Sequence, residues 1–389
     1  MDYSTLLSNK VQTIKPSGIR KFFDMLSGRK DVISLTVGQP DFPTPYHISN
    51  AAVDSIVKNK TYYTSNSGLP ELRAGISAYL DRRFGLRYRA EDEIFVTVGG
   101  SEAIDMAFRA VIDPGDEVIV PEPCFVCYAP LIEMMGGVAV PLYTKVEDKF
   151  KVTPALLEPL ITPRTKMLVL SYPNNPTGAI MTRADLEKIA PLVRAHEMLV
   201  LSDEIYAELT YGQTHCSIAT LPGMWERTIV VNGFSKAYAM TGWRLGYSCA
   251  PAPIIKQMLK LHQYGIMCAS TASQFAGVEA VNHGDADIEY MKEQYNFRRT
   301  YVTNRLEKMN IPCFEPEGAF YVFPCISGYG MTSETFCERL MNEHGVAIVP
   351  GSAFGAGSEG FARISYAYSI DHLEEALNRM EAFLSDITG

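Results

Sequence analysis

The chain has 389 residues, 47% of them hydrophobic, so it exceeds the size one core organises and about two domains are expected. The formal net charge is -9 and no run of Lys or Arg is long enough to track a phosphate backbone, which disfavours nucleic-acid binding. No stretch reaches the length of a membrane span, and no basic start is followed by an apolar core, so an unexported, cytoplasmic protein with no membrane partner is expected.

The first forty residues carry a basic amphipathic start and then DVISLTVGQPDFPTP (Asp31 to Pro45). A short strand, Val32 to Val37, running into Gly38 and three prolines predicts an extended segment that crosses the surface between domains. Gly38 lets backbone approach a ligand closely. A helix is expected from about Ile48 to Lys58. Tyr62 and Tyr63 then precede a loop of Thr, Ser, Asn and Gly, and Pro70 opens the next helix at a favourable first-turn position.

From Glu93 strand and helix alternate. EIFVTVGG ends in Gly99 and Gly100, and SEAIDMAFRAVI follows as a helix with Ser101 placed to cap it. Strand, glycine pair and helix N-terminus make an anion cradle, because free N–H groups and the positive dipole end point at the ligand. Asp116 to Pro123 is the next strand, with Phe125 and Tyr128 just beyond it. Cys124 and Cys127 form a CxxC, but no second pair stands at zinc-ribbon spacing. The eight scattered cysteines suit reduced thiols in a cytoplasm, with no metal assigned.

The rhythm continues through VAVPLYT, KMLVLSYPNNPTG, a helix near Arg183 to His196, and MLVLSDEIYAELTY. Continuous apolar runs of this kind mark parallel strands buried on both faces. Ligands of open α/β sheets bind outside the C-terminal ends of such strands. Asn174, Asn175, Asp203 and Tyr206 stand there. The run TIVV (Thr228 to Val231) delivers Lys236 into a tight loop, NGFSKAYAMTGWRLGY, with Ser235 beside it and Arg244 eight residues on. Desolvation and a neighbouring guanidinium both disfavour the ammonium form, which is how a Schiff-base-forming lysine is made.

RLGYSCAP reads as another strand, followed by helices from about Ala252 and Thr271 and a long one from about Asp287 to Met309. AFYVFP, a helix from about Glu334 to His344, VAIVPG, FARISYAY and a last helix from about Asp371 suggest a smaller α/β domain. GAGSEG (Gly355 to Gly360) fits the dinucleotide pattern GxGxxG. It precedes a strand rather than a helix, so it is read as a flexible glycine loop. An amine, a carboxylate, a hydroxyl donor and an anion cradle at the ends of one sheet's strands match what pyridoxal phosphate needs.

The motifs LTVGQPDFPTP, YTSNSGLPELR, VTVGGSEAI, SYPNNPTG, SDEIY, NGFSKAYAMTGWRLGY and FARISYA follow one another in order, spread from Leu35 to Ala367. In them the sequence resembles a fold-type-I pyridoxal-phosphate aminotransferase of the class I/II family, close to the bacterial aspartate or aromatic aminotransferases. The resemblance implies an α/β fold: a three-layer sandwich with a mostly parallel central sheet in a large cofactor-binding domain, residues 46–285. A smaller α/β domain would comprise residues 1–45 and 286–389. It implies that Lys236 forms the Schiff base and acts as base, that Asp203 faces the pyridine nitrogen, and that Tyr206 and Asn175 hold the phenolic oxygen. Gly100, Ser101 and Arg244 would bind phosphate, with Glu102 and Ser235 also at the cofactor. Tyr63 would reach the phosphate of the neighbouring subunit, making the active unit a homodimer. Arg363 would clamp the substrate α-carboxylate bidentately, helped by Gly38 and Asn175.

Phe125 would stack on the ring where many relatives carry Trp or Tyr, and Gly233 stands where some place a phosphate-binding serine. The implied reaction moves the amino group of an L-amino acid to a 2-oxo acid, with 2-oxoglutarate as the expected acceptor. The same scaffold supports C–S β-lyases, which are the alternative. A cofactor-sensing regulatory domain would need an attached helix-turn-helix, for which about thirty residues before LTVGQPDF leave no room. No arginine can be assigned to a distal carboxylate, so aspartate, aromatic amino acids and alanine stay open as donors.

Overall fold

Strands buried on both faces build the centre of the computed structural model, which describes residues 1, 3–16, 18, 29 and 31–388. After a short strand β1 (Ile33–Ser34), seven strands form one sheet: β2 (Ile94–Thr97), β3 (Glu117–Glu122), β4 (Val138–Tyr143), β5 (Thr165–Ser171), β6 (Leu199–Asp203), β7 (Thr228–Gly233) and β8 (Gly246–Cys249). Their spatial order is β2-β8-β7-β6-β5-β3-β4. Pairings from β7 through β4 are parallel, whereas β8 runs antiparallel to both of its neighbours.

Val118, Val120, Met167, Val169, Leu201 and Val231 bury one face of the sheet against the helices Gly99–Val111 and Ala252–Gly265. Ile119, Leu168, Leu170 and Val200 bury the other against Arg183–Ala195. Each such side chain contributes about 1.5–3 kcal/mol by leaving water, and the result is the expected three-layer arrangement. Local signals set the helix ends. Thr182 and Asp185 form a capping box at Arg183–Ala195, and Pro70 opens a helix that Gly85 closes in the left-handed conformation.

The C-terminal third adds β9 (Tyr321–Val322), β10 (Val346–Ala347), β11 (Val349–Pro350) and β12 (Ala362–Ser365). β11, β12 and β9 form an antiparallel sheet, while β1 pairs with β10 in parallel. One core joins Leu35 to Leu306, Phe320, Phe336, Ile364 and Phe383, and reaches Tyr206 and Leu209. The segment after β1 therefore crosses from this core to the edge of the central sheet. The expected strand Val32 to Val37 shortens to two residues. The basic stretch before Asp31 lies mostly outside the described residues; within them, Asn9–Thr13 is helical.

Two local expectations change. The helix expected to be capped by Ser101 opens earlier, at Gly99 behind Val98, and no side chain caps it. Ser101 lies in its first turn. The tight loop expected at the lysine is a single helical turn, Phe234–Ala237. Gly355 to Gly360, expected as a flexible glycine loop, contains a 3₁₀ turn, Ala356–Ser358, and leads into β12 with no α-helix between. Among the described residues no helix is long and apolar enough to cross a membrane.

Candidate active site

The strands β5, β6 and β7 end at one edge of the sheet, and their following residues turn into a common cavity of about 320 Å³. Arg244 was expected beyond a parallel strand. It precedes β8 instead, and because β8 is antiparallel its first residue lies at this same edge. Asn175, Asp203, Tyr206, Ser235, Lys236 and Arg244 all line the cavity. Gly100, Ser101 and Phe125 reach it from the sequence after β2 and β3, and Gly38 and Arg363 reach it from the N- and C-terminal parts of the chain.

Lys236 extends from the turn after β7, and its Nζ donates to the carbonyl of Gly38 at 2.5 Å. Burial, then the guanidinium groups of Arg363 and Arg244, bring its amine from 10.5 to about 7, with Asp203 opposing. An amine shifted in this direction can act as a nucleophile or a base near neutral pH.

Asp203, 6% exposed, closes β6. Its Oδ1 accepts the Ile205 N–H at 3.2 Å and its Oδ2 the Tyr128 hydroxyl at 2.6 Å. Burial pushes the carboxyl above its ordinary range, and Tyr128 works against that. No Lys, Arg or His forms an ion pair with it among the described residues. A buried carboxyl supplied with two donors but no cation suits a cationic ligand atom such as a protonated ring nitrogen. Tyr128, just beyond β3, has no role marked by its local sequence. Its spacing of three from Phe125 in the turn after β3 is the one hint, since a buried tyrosine hydroxyl needs a partner.

The anion end is built around Gly99, whose φ is +76°, and a Cβ there would run into the Arg244 guanidinium. Glycine thus serves both the backbone turn and the close approach of the cation. With no capping side chain on Val98, the first-turn N–H groups are free to meet an anion beside Ser101, Ser235 and Arg244. Arg244, at φ +51°, donates to the Thr241 carbonyl at 3.0 Å and has no acidic partner among the described residues.

Two expected cofactor residues are not brought to this cavity. The Glu102 carboxylate turns away, accepting the Val98 N–H at 2.5 Å and meeting His262 Nδ1 at 2.5 Å. Tyr63 is 78% exposed and does not line the cavity of its own chain. Asn174, which also follows β5, organises its own turn by accepting from Thr177 and donating to the Pro123 carbonyl.

At the opposite end Arg363 is 2% exposed. It donates to Asn175 Oδ1 at 2.8 Å and to the Thr36 carbonyl at 2.5 Å, between the rings of Tyr321 and Phe354. Its Nε is buried without a partner among the described residues, and burial lowers its pKa. A buried guanidinium with no acidic partner among the described residues suits a ligand carboxylate. The Tyr321 hydroxyl, 2.6 Å from that of Tyr206, occupies the space a Cβ on Gly38 would take. Nothing local in AFYVFP marked Tyr321 for this position. The cavity therefore offers an amine, an acid for a ring nitrogen, an anion cradle and a carboxylate clamp, which fits pyridoxal phosphate together with an amino acid.

The family model for aminotransferase class I and II matches residues 30–380. The chain is 49% identical over 385 residues to the putative aminotransferase YugH of Bacillus subtilis, covering 99% of this chain and 100% of that one. It is 48% identical to a probable N-acetyl-LL-diaminopimelate aminotransferase of the same organism, over 97% of this chain and 96% of the relative. Among solved structures it is similar to the aromatic aminotransferase from Pyrococcus horikoshii OT3, with a TM-score of 0.90 and 44% identity, covering 94% and 99% of the two chains. All three are named aminotransferases, which gives no support to the β-lyase alternative. The chain belongs to the class I and II aminotransferases, enzymes that depend on pyridoxal phosphate and transfer amino groups.

Proposed function

We propose that this aminotransferase passes the amino group of an L-amino acid to 2-oxoglutarate, with Lys236 as the covalent anchor of the cofactor and the proton-transfer base. The observation that carries the assignment is a lysine brought to about 7 in the same cavity as the buried Asp203 and the buried, acid-free Arg363. When bound, pyridoxal phosphate supplies an electron sink for the charge that develops at the substrate Cα. Arg363 and Asn175 would orient the substrate carboxylate, and Lys236 Nζ would take the proton from Cα and deliver it to the cofactor carbon that carries the transferred nitrogen. Asp203, fixed by Tyr128, would hold a proton on the ring nitrogen, and Tyr206 with Asn175 would hold the phenolic oxygen. Gly100, Ser101, Ser235 and Arg244 would hold the phosphate, and Phe125 would pack on the ring.

The same reading includes a cytoplasmic homodimer in which Tyr63 reaches the partner's phosphate. Exposed Tyr62, Tyr63, Tyr264, Ile266 and Met267 support a second copy as the occupant of that surface. The Asn66 bond to the Met267 carbonyl and the Thr271 bond to the Tyr62 carbonyl join the two segments. The division into residues 46–285 and residues 1–45 with 286–389 is supported by the β1–β10 pairing. A panel of aspartate, aromatic and alanine donors with 2-oxoglutarate, followed by the absorbance of bound cofactor in each half-reaction, tests the assignment. Lys236→Ala should bind pyridoxal phosphate without turning over. Normal steady-state transamination by that variant would overturn it.

A further inference from the structure

A helix that opens with two glycines behind Val98 has little local means of holding its first turn still, because glycine is the most permissive residue and valine has no acceptor to offer as a cap. The N–H groups of this turn must nonetheless point at one place if they are to bind an anion. The missing cap comes from inside the helix. Glu102 reaches back and takes the Val98 N–H at 2.5 Å, tying the residue before the helix to its own first turn. Its other oxygen meets His262 Nδ1 at 2.5 Å. The Glu102 side chain is 8% exposed and that of His262 fully buried, so this pair is part of the packed interior between two helices.

His262 comes from the helix Ala252–Gly265, which shares one core with Gly99–Val111. The Phe95 ring, on β2, lies edge-on to the imidazole at 5.6 Å. Nε2 has no partner among the described residues, so the bond to Glu102 is the one hydrogen bond of this ring there. A carboxylate only accepts, so Nδ1 donates. That donation decides where the carboxylate points. A carboxylate is attracted to a helix N-terminus, and one left free there would compete with the phosphate. Drawn to His262, it lies outside the cavity.

Resting on the proposed phosphate cradle at Gly100 and Ser101, we infer that Glu102 and His262 are positioning residues that fix this turn for the cofactor phosphate without touching it. The test uses purified full-length protein freed of cofactor and titrated with pyridoxal phosphate or with pyridoxal, which lacks the phosphate. The dissociation constant of pyridoxal divided by that of pyridoxal phosphate reports the cradle alone. In His262→Leu this ratio should fall about tenfold, the size of one lost charge-assisted hydrogen bond, while pyridoxal binding changes by less than about twofold. His262→Asn, whose amide nitrogen can replace Nδ1, should restore most of the ratio. Should the leucine variant fold poorly, Glu102→Ala removes the same link and should lower the ratio similarly.

An unchanged ratio in His262→Leu, or equal weakening of both ligands, would overturn the inference and leave the cradle assignment standing. A wild-type ratio near one would overturn the cradle itself, and the inference with it.

Discussion

Arg363→Lys separates substrate recognition from cofactor binding. The guanidinium is buried, donates in fixed directions to Asn175 Oδ1 and the Thr36 carbonyl, and keeps a buried Nε without a partner among the described residues. An ammonium can reach one of those acceptors, but its three donors radiate from a single atom. It cannot also present a planar pair to a carboxylate, and it loses the stacking between Tyr321 and Phe354. One charged hydrogen bond lost corresponds to about 1.5–3 kcal/mol, or about 10- to 150-fold in affinity. The amino-acid constant comes from the absorbance of bound cofactor in the first half-reaction, and the cofactor constant from titration of cofactor-free protein. The first should rise by that factor while the second stays within about threefold. A substrate constant within about threefold of wild type, or a cofactor constant that rises as much, would refute the clamp.

Asp203→Asn keeps the size of the side chain and the bond from the Ile205 N–H but not the charge. At about 1.4 kcal/mol for each pKa unit lost at the ring nitrogen, single-turnover conversion to the pyridoxamine form should slow by about a hundredfold or more. A rate within about threefold of wild type would leave Asp203 as a turn former only. Lys236→Met tests the depressed amine through stability. Between about 7 and 10.5 the unfolded chain holds a proton on Lys236 that the folded chain has released, so wild-type stability rises with pH there. The cofactor-free methionine variant should therefore be the more stable protein at pH 7, and its advantage should shrink toward pH 10; a constant difference in chemical denaturation would contradict the shift. Gly38→Ala places a methyl group against the Tyr321 hydroxyl and should break its bond to Tyr206. A loss of about 1–3 kcal/mol of unfolding stability is expected, and an unchanged denaturation midpoint would argue against that contact.

Strands such as those holding MLVL and IVV are legible in the sequence because burial on both faces makes the run continuously apolar. The same uniformity hides direction. Gly246–Cys249 looks alike in either sense, so the antiparallel course of β8 had to come from the structure, and with it the reason Arg244 reaches the cavity. Helix-terminal signals were legible where they are local, as at Pro70. They failed at Ser101, because the acceptor for the Val98 N–H is Glu102, inside the helix, and not a residue in the usual capping position.

The site divides along the same line, between what a residue is and what it meets. Lys236, Asp203 and Arg363 were recognisable by type and by place at strand ends or in a motif. Their electrostatics depend on distant partners: Tyr128 and Asp203 are 75 residues apart, Glu102 and His262 are 160, and Asn175 and Arg363 are 188. An aromatic after a strand, or a histidine on the apolar face of a helix, carries no local mark of such a partner, so Tyr128, Tyr321 and His262 had no assigned role before the fold was known. Tertiary pairing also decides which charges remain incomplete. Glu102 is completed by His262 and withdraws from the cavity, whereas Asp203 has no cation and Arg363 has no acid among the described residues. A ligand with a cationic ring nitrogen and a substrate with a carboxylate would complete those two groups, so binding can draw on the desolvation already incurred in folding.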